Sequence, residues 1–202
     1  MDARKLKRLS HAMSSILRHR AGDAGLVMDP AGWVAIDEVC RHLRTNRQAI
    51  AQVVAGNNKT RYQMEGDRIR ASQGHSLDGM PVTQEALERS WSVWRGVGSI
   101  WHGTRIEVIE SIAEGGILRG GRTHVHLAES TGSRVGKRAN VALMLEVDPG
   151  RLRDTGNEIF VSPNGVILTR HVPPECIIDM ITVSKRSQQH APRLRAAFGW
   201  AG

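Results

Sequence analysis

Three groups of basic residues have the side-chain types that bind phosphate. Arg18 and His19 are adjacent, a second group is Asn58-Lys59-Thr60-Arg61, and a third lies within 134–138 and ends at Arg138. Arginine presents a planar fork of N–H donors that matches the oxygens of a phosphate group. If these groups converge in the fold they predict a site for a phosphate monoester. If they do not, they are solvated surface charges.

A second candidate segment is His102-Gly103-Thr104, at the end of a predicted strand and before a predicted helix. The glycine permits close backbone approach, and the helix start favours an anion, so the segment can cradle a sugar or a phosphate. A threonine that only caps the helix is the alternative. His124 and His126 lie on the same side of a strand, but no further ligands at zinc spacing accompany them. We therefore expect no metal site.

The composition is that of a soluble globular protein with a basic excess. The chain has 202 residues, 40% of them hydrophobic, and 28 Lys and Arg against 20 Asp and Glu give a net charge of +8. This balance excludes wholesale disorder and favours a polyanionic partner. No apolar run reaches the ~20 residues of a membrane helix. The basic, amphipathic start differs from a signal peptide, so we expect a cytoplasmic protein without membrane contact.

The N-terminal part has the element order of a winged helix. Helical spacing separates the apolar residues Leu6, Leu9, Met13, Ile16 and Leu17. This helix should end near 18–20, Asp37 should cap a second helix, and Thr45 with Gln48 predicts a capping box for a third. Alternation over 61–72 around a central turn predicts a hairpin. We therefore expect a winged-helix domain over residues 1–80.

The C-terminal part differs from the N-terminal part in its predicted secondary structure. A connector rich in Gly, Ser and Pro is expected over 73–84, followed by several short strands with one or two helices among them. This mixture indicates an α+β domain over 85–184. Residues 185–202 are expected to form a C-terminal tail.

Together these residues resemble the RNA 2′-phosphotransferases of the KptA type over nearly the whole chain. The motifs that carry the resemblance are Leu9-Ser10, Leu17-Arg18-His19, Asn57-Asn58-Lys59-Thr60-Arg61-Tyr62, Ile69-Arg70-Ala71-Ser72-Gln73-Gly74-His75-Ser76, His102-Gly103-Thr104, His124-Val125-His126-Leu127, Val135-Gly136-Lys137-Arg138 and Asn164-Gly165-Val166-Ile167-Leu168. Tyr62 stands where the family usually has Phe. Ala139-Asn140 replaces the residues that usually follow the Val-Gly-x-Arg motif.

The resemblance implies a winged-helix lobe joined to an ADP-ribosyltransferase-like mixed β lobe that binds NAD⁺ as a co-substrate. It implies removal of an internal 2′-phosphate from RNA, as at a tRNA splice junction, through an ADP-ribosylated phosphate intermediate. The products would be nicotinamide, RNA with a 2′-hydroxyl and ADP-ribose 1″,2″-cyclic phosphate. The expected partners are therefore 2′-phosphorylated RNA and NAD⁺, and we expect a monomer.

The resemblance also implies roles for particular residues. The positions that match the family's catalytic residues are Arg18, His19, Arg61 and Arg138. The positions that match its NAD⁺-binding residues are His102, Gly103, Thr104, His126 and Val166, where Val166 stands in place of a Glu used by protein-modifying relatives. The expected substrate-binding residues are Lys59, Gln73 and His75.

Two other functions remain open from the sequence. A non-catalytic winged-helix protein that binds nucleic acid would explain the charge and the N-terminal elements, but not His102-Gly103-Thr104. An ADP-ribosyltransferase acting on RNA or DNA phosphate ends would stop after the first chemical step. Incubation with NAD⁺ and 2′-phosphorylated RNA distinguishes the three.

Overall fold

A computed structural model of the chain describes residues 2–57, 60–136 and 141–200. Its contacts divide the chain into two compact units. The first runs to Ser92 and also takes in Gly121–Thr123 and Ser162–Asn164, and the second comprises the remainder. Helices and several small antiparallel sheets make up the fold, which confirms the predicted α+β class.

The first unit holds three helices and a small sheet, followed by a further helix. Its elements are α1 Ala3–His19, β1 Val34–Ala35, α2 Ile36–His42, α3 Arg47–Ala55, β2 Tyr62–Glu65, β3 Arg68–Ala71, α4 Gln84–Arg89 and, at its end, β4 Ser92–Val93. The antiparallel sheet has the order β1-β3-β2. Predicted and observed elements therefore agree up to the hairpin.

The helix α1 ends where the sequence predicted. Asp2 caps it by accepting from the Lys5 amide, and Met13, Ile16 and Leu17 form its buried face. Its last turn carries Arg18 and His19, where cations face the negative end of the helix dipole.

The caps of the next two helices differ from the prediction. α2 has no side-chain cap: Asp37 lies inside the helix, and its carboxylate pairs with Arg47 at 2.7 Å. Asn46, not Thr45, caps α3 by accepting from the Ala49 amide. Both predicted caps were wrong. The Asp37 carboxylate pairs with the distant Arg47 instead of capping α2, and the neighbouring Asn46 takes the place of Thr45 as the cap of α3.

The predicted hairpin forms with its turn at the expected position. β2 and β3 pair antiparallel from Tyr62 opposite Ala71 to Glu65 opposite Arg68. Gly66 stands at the turn with a φ of 55°, a conformation that favours glycine. Tyr62 begins the hairpin and is 2% exposed, so the strand that follows Arg61 is anchored in the unit's core.

The second unit is built from short strands around one core. Its elements are β5 Ile100–Thr104, the 3₁₀ turn Ile106–Val108, α5 Ile109–Gly115, β6 Ile117–Leu118, β7 Val125–Leu127, β8 Leu143–Val147, α6 Pro149–Asp154, β9 Phe160–Val161, β10 Ile167–Thr169, β11 His171–Val172, the 3₁₀ turn Pro174–Cys176, β12 Ile177–Thr182, α7 Lys185–Gln189 and α8 Ala191–Ala196.

Two sheets of this unit meet at β5. One has the order β12-β8-β5, and in the other β9, β10 and β7 lie side by side. Trp101 of β5 and Ala128, just after β7, exchange two backbone hydrogen bonds of 2.8 Å. This pair holds the first part of β5 beside the residue that follows β7.

The segment expected as a tail folds into α7 and α8. Leu194 of α8 is buried in the core of the second unit, among residues of its sheets. None of the helices in the described parts of the chain has the length and apolar character needed to cross a bilayer.

Candidate active site

The first unit gathers a cluster of cations around the end of α1. Arg18 lies in the last turn of α1, and Arg61 directly precedes β2. The Tyr62 hydroxyl donates to the Ser10 carbonyl at 2.6 Å, which ties the start of β2 to α1. Arg18 and Arg61 are close enough for the charge of Arg61 to lower the pKa of Arg18. The structure thus brings these two predicted site residues together.

Arg18 is a half-buried residue whose guanidinium lies largely out of contact with solvent. Burial lowers the pKa of its guanidinium to about 10, and the positive charges of Arg61 and Arg122 add to the effect. Its Nε and Nη2 atoms are buried and have no hydrogen-bond partner among the described residues. Leaving such donors unmatched costs on the order of 1–3 kcal/mol per group. The guanidinium is therefore suited to an anion that supplies the acceptors.

Gly74 lies directly against the Arg18 side chain. A β-carbon at position 74 would lie 3.6 Å from the Arg18 Cζ and Nε atoms. The φ of Gly74 is +90°, which side-chain-bearing residues rarely adopt. The glycine of the Gln73-Gly74-His75-Ser76 motif therefore lets the backbone pass against the guanidinium.

His19 is held by Ser76. Its Nδ1 lies 2.9 Å from the Ser76 hydroxyl, and the Ser76 amide donates to the Arg18 carbonyl at 2.8 Å. Burial, followed by the charges of Arg18, Arg122 and Arg20, lowers the pKa of His19 below its usual value. The imidazole is therefore disfavoured as a cation until a negative charge arrives beside it.

Arg122 joins this cluster, although the sequence did not single it out. Its backbone bridges to Ser76, and the next residue, Thr123, donates its amide to the His75 carbonyl at 3.0 Å. This pairing places its charge where it acts on both Arg18 and His19. The available sequence signal was a basic residue just before the His124–His126 strand, which gives no spatial information.

Two of the three expected substrate-binding residues, Gln73 and His75, lie in the described part of the first unit and are buried. Gln73 is 9% exposed, and His75 is fully buried. A β-carbon at Gly32 would lie 2.9 Å from the His75 Nε2, so this ring packs inside the first unit. Substrate binding by Gln73 and His75 stays a prediction. Lys59 and Arg138 lie outside the described residues.

In the second unit, the candidate NAD⁺-binding residues lie on neighbouring strands. His102, Gly103 and Thr104 form the end of β5, His126 lies in β7, and Val166 directly precedes β10. Leu168 of β10 pairs with His126, so β10 adjoins β7. The structure thus groups these residues at adjoining strands of one unit.

The His102 ring has a defined orientation. Its Nδ1 lies 3.1 Å from the His126 carbonyl oxygen, which can only accept a hydrogen bond. Nδ1 therefore donates, and in the neutral ring Nε2 is the acceptor. Thr104, with 6% exposure, lies next to Gly103 at the same strand end. An acceptor nitrogen beside a glycine fits a ribose hydroxyl.

Metal ligation finds no support in the described ranges. Within residues 2–57, 60–136 and 141–200, no three His, Cys, Asp or Glu side chains are grouped so that they could hold a metal ion.

Comparison with known proteins decides the family. The model of the RNA 2′-phosphotransferase, Tpt1/KptA family, matches residues 4–171. The chain belongs to this family. Members named probable RNA 2′-phosphotransferase include a Burkholderia lata protein, 38% identical over 86% of this chain and 90% of its own length. Similar proteins come from Pseudomonas syringae pv. tomato, at 35% identity over 87% and 95%, and Streptomyces griseus, at 34% over 88% and 98%.

The Tpt1/KptA match contains the whole cation cluster and every candidate NAD⁺-binding residue. It ends at residue 171, before β12 and the two terminal helices. The match therefore covers the cation cluster of the first unit and, separately, the candidate NAD⁺-binding residues of the second unit.

We predict that Arg122→Gln raises the pKa of His19, because it removes one of the positive charges that lower it. The measurement is an NMR titration of the His19 ring protons. Arg89→Gln, which removes an equal charge at the end of α4, is the control and should leave the titration unchanged. An unchanged midpoint in Arg122→Gln would contradict the placement of Arg122 beside His19.

Proposed function

We propose that this protein removes a 2′-phosphate from RNA with NAD⁺ as its co-substrate. The observation that carries the proposal is the Arg18 guanidinium, buried among other cations with two donor atoms that lack partners in the described residues. Family membership supplies the reaction class, because the Tpt1/KptA relatives are named RNA 2′-phosphotransferases.

A phosphate monoester is the anion that suits this cluster. Its second pKa is near ~6, so it carries close to two negative charges at neutral pH. Arg18, Arg61 and Arg122 supply positive charge in one region of the first unit. A diester phosphate carries one charge and less readily offsets several cations. The cluster therefore favours the terminal 2′-phosphate over the ordinary RNA backbone.

We assign NAD⁺ to the second unit. His102, with its acceptor Nε2, and the adjoining Gly103 and Thr104 would hold the nicotinamide ribose, and His126 and Val166 would line the same site. We further propose that this unit is ADP-ribosyltransferase-like and that the first unit is a winged helix. The helices and hairpin of the first unit support the second assignment.

The proposed reaction has two steps. In the first, a 2′-phosphate oxygen forms a bond to C1″ of the nicotinamide ribose, and the bond to nicotinamide breaks. In the second, the 2″-hydroxyl attacks phosphorus, and the RNA 2′-oxygen leaves. The attacking hydroxyl loses one proton and the leaving oxygen gains one, so the second step needs a group that moves a proton.

His19 is suited to that proton transfer. Its pKa is lowered in the protein alone, and a dianionic phosphate beside it would raise the pKa and favour the imidazolium. Ser76, bonded to Nδ1, leaves Nε2 to face the substrate. Arg18 and Arg61 would offset the charge that grows on the phosphate oxygens during attack. Arg138 stays a predicted member of this group.

The valine at position 166 is compatible with this chemistry. A Glu that orients or activates an acceptor is needed when the acceptor is neutral. A phosphate monoester is already an anionic nucleophile and requires mainly positioning. An apolar, buried Val166 also avoids placing a second negative charge near the incoming phosphate.

The first prediction from the proposed function concerns turnover. Arg18→Ala and Arg61→Ala should each slow release of ADP-ribose 1″,2″-cyclic phosphate by at least about 100-fold, because loss of one charge stabiliser commonly costs about 3–4 kcal/mol. The assay incubates the full chain with NAD⁺ and 2′-phosphorylated RNA and resolves the products. Arg4→Ala, exposed on the same helix as Arg18, is the control and should retain wild-type turnover.

Melting curves verify that the variants fold, and Arg18→Lys tests the charge with less change in volume. Wild-type turnover in both alanine variants would refute the assigned site. RNA that binds but is never processed by the wild type would favour a non-catalytic nucleic-acid-binding protein. ADP-ribosylated phosphate ends as the final product would favour the terminal-phosphate ADP-ribosyltransferase.

The second prediction separates the two binding sites. His102→Ala should weaken ADP-ribose binding by about tenfold, the effect expected for a lost hydrogen bond of about 1.4 kcal/mol. Arg18→Ala should leave that affinity unchanged, because Arg18 belongs to the phosphate site. Calorimetry on the full chain measures both. The reverse result, with Arg18→Ala weakening ADP-ribose binding and His102→Ala silent, would overturn the assignment of NAD⁺ to the second unit.

The third prediction separates the two chemical steps. His19→Ala should slow the second step more than the first, because only the second expels an RNA oxygen that needs a proton. An RNA 2′-phospho-ADP-ribose adduct should therefore accumulate transiently and appear as a slower band on a denaturing gel. Arg61→Ala should accumulate it as well. Equal slowing of adduct formation and breakdown would mean that these residues position the phosphate for both steps alike.

A further inference from the structure

A groove on the first unit begins at the cation cluster and follows α1 toward its N-terminal end. It has a volume of about 420 Å³ and lies between α1 and α3. The polar residues that line it are Lys7, Ser10, His11, Gln52, Asn57 and Arg61. Its apolar lining includes Ala3, Leu6 and the largely buried Val53. The groove is therefore mixed in character and open to solvent.

The charge of the groove has one sign. Among the described residues that line it, Lys7 and Arg61 are cationic and none is acidic. The carboxylate nearest in sequence, Asp2, is used as the cap of α1. Side chains of Lys7 and His11 are exposed, so their donors can reach a ligand in solvent. An anionic chain is the ligand that this surface matches.

The groove is continuous with the proposed phosphate site. Arg61 lines the groove and also acts on Arg18, and its Nη1 donates to the Asn57 Oδ1 at 3.4 Å. Ser10, another lining residue, accepts through its carbonyl from Tyr62. Along α1, Lys7 is about 16 Å from Arg18, by the rise of an α-helix. A nucleotide whose 2′-phosphate is at Arg18 would not reach Lys7 over that distance, so a ligand that contacts both must include neighbouring nucleotides.

We infer that this groove holds the RNA strand adjoining the 2′-phosphorylated nucleotide, with Lys7 and His11 contacting backbone phosphates. The inference rests on the proposed function, since it takes the Arg18 cluster as the place of the 2′-phosphate. The half-exposed Leu6 contacts sugar or base faces without selecting a sequence. The groove thus gives affinity that grows with RNA length and depends on salt.

The experiment measures binding, so it does not require turnover. Fluorescence anisotropy follows the affinity of the full chain for RNAs with one 2′-phosphate, lengthened one nucleotide at a time on the 5′ side or the 3′ side. The wild type should bind more tightly as one of the two sides grows. Lys7→Ala should lose about fivefold on the long RNA, the effect of one exposed charge contact, and His11→Ala should lose affinity through one hydrogen bond to a backbone phosphate.

The salt dependence gives a second readout that a general structural change would not reproduce. Loss of the Lys7 contact should reduce the slope of log affinity against log salt by about 0.7 for a single strand, because a cation that neutralises a phosphate releases counterions. Lys5→Ala, exposed on α1 outside the groove, is the matched control and should keep the wild-type slope and length dependence. Alanine is a good helix former, so these exposed replacements preserve α1.

Two results would overturn the inference. One is a wild-type ratio of long to short RNA affinity in both Lys7→Ala and His11→Ala, together with an unchanged salt slope in Lys7→Ala. The other is an equal loss in Lys5→Ala, which would assign the effect to the general charge of α1. Failure of the proposed function has a different signature: the groove variants would change RNA binding while the wild type releases no cyclic phosphate from NAD⁺ and RNA.

Discussion

The burial of the Arg18 guanidinium is the constraint on which the candidate site depends. A charged group loses much of its hydration when it is buried, and this loss disfavours the charged form. The pKa of Arg18 is lowered for that reason. Among the described residues, the charged groups that act on Arg18 are the cations Arg61 and Arg122 and the phenol of Tyr62. The rest of the unit must therefore stabilise an arrangement that an arriving anion would complete.

Packing elsewhere in the first unit supplies that stability. The apolar face of α1, with Met13, Ile16 and Leu17, anchors the helix whose last turn carries the cations. Tyr62 anchors the hairpin that follows Arg61, and the backbone of Ser76 fixes the loop beside His19. Hydrophobic burial thus offsets an electrostatically unfavourable cluster, which is a common arrangement at functional sites.

The elements that depend on local sequence patterns, α1 and the β2–β3 hairpin, could be predicted from the sequence. Apolar periodicity was sufficient for α1, and alternation around Gly66 was sufficient for the hairpin, so Arg18 and Arg61 could be placed at the ends of known elements. Arg122 could not be placed, because its proximity to His19 depends on a bridge to Ser76 between segments distant in sequence.

The depth of His75 could not be predicted either, since a polar residue in a loop carries no signal of complete burial. Thr45 and Asn46 are both good capping residues, so residue type alone does not decide between them. The backbone path makes Asn46 the cap of α3. These differences share a cause: long-range pairing and the exact chain path decide them, not residue type.

Tyr62 also gives the site a spectroscopic property. It is the one tyrosine in the chain, and its hydroxyl donates to Ser10 within the charge field of Arg18. Incorporation of 3-fluorotyrosine would therefore place a single ¹⁹F nucleus beside the cation cluster, and its spectrum would contain one resonance with no assignment needed. The chemical shift of that resonance responds to local electric fields, so the chain has a built-in position from which the arrival of charge can be observed directly.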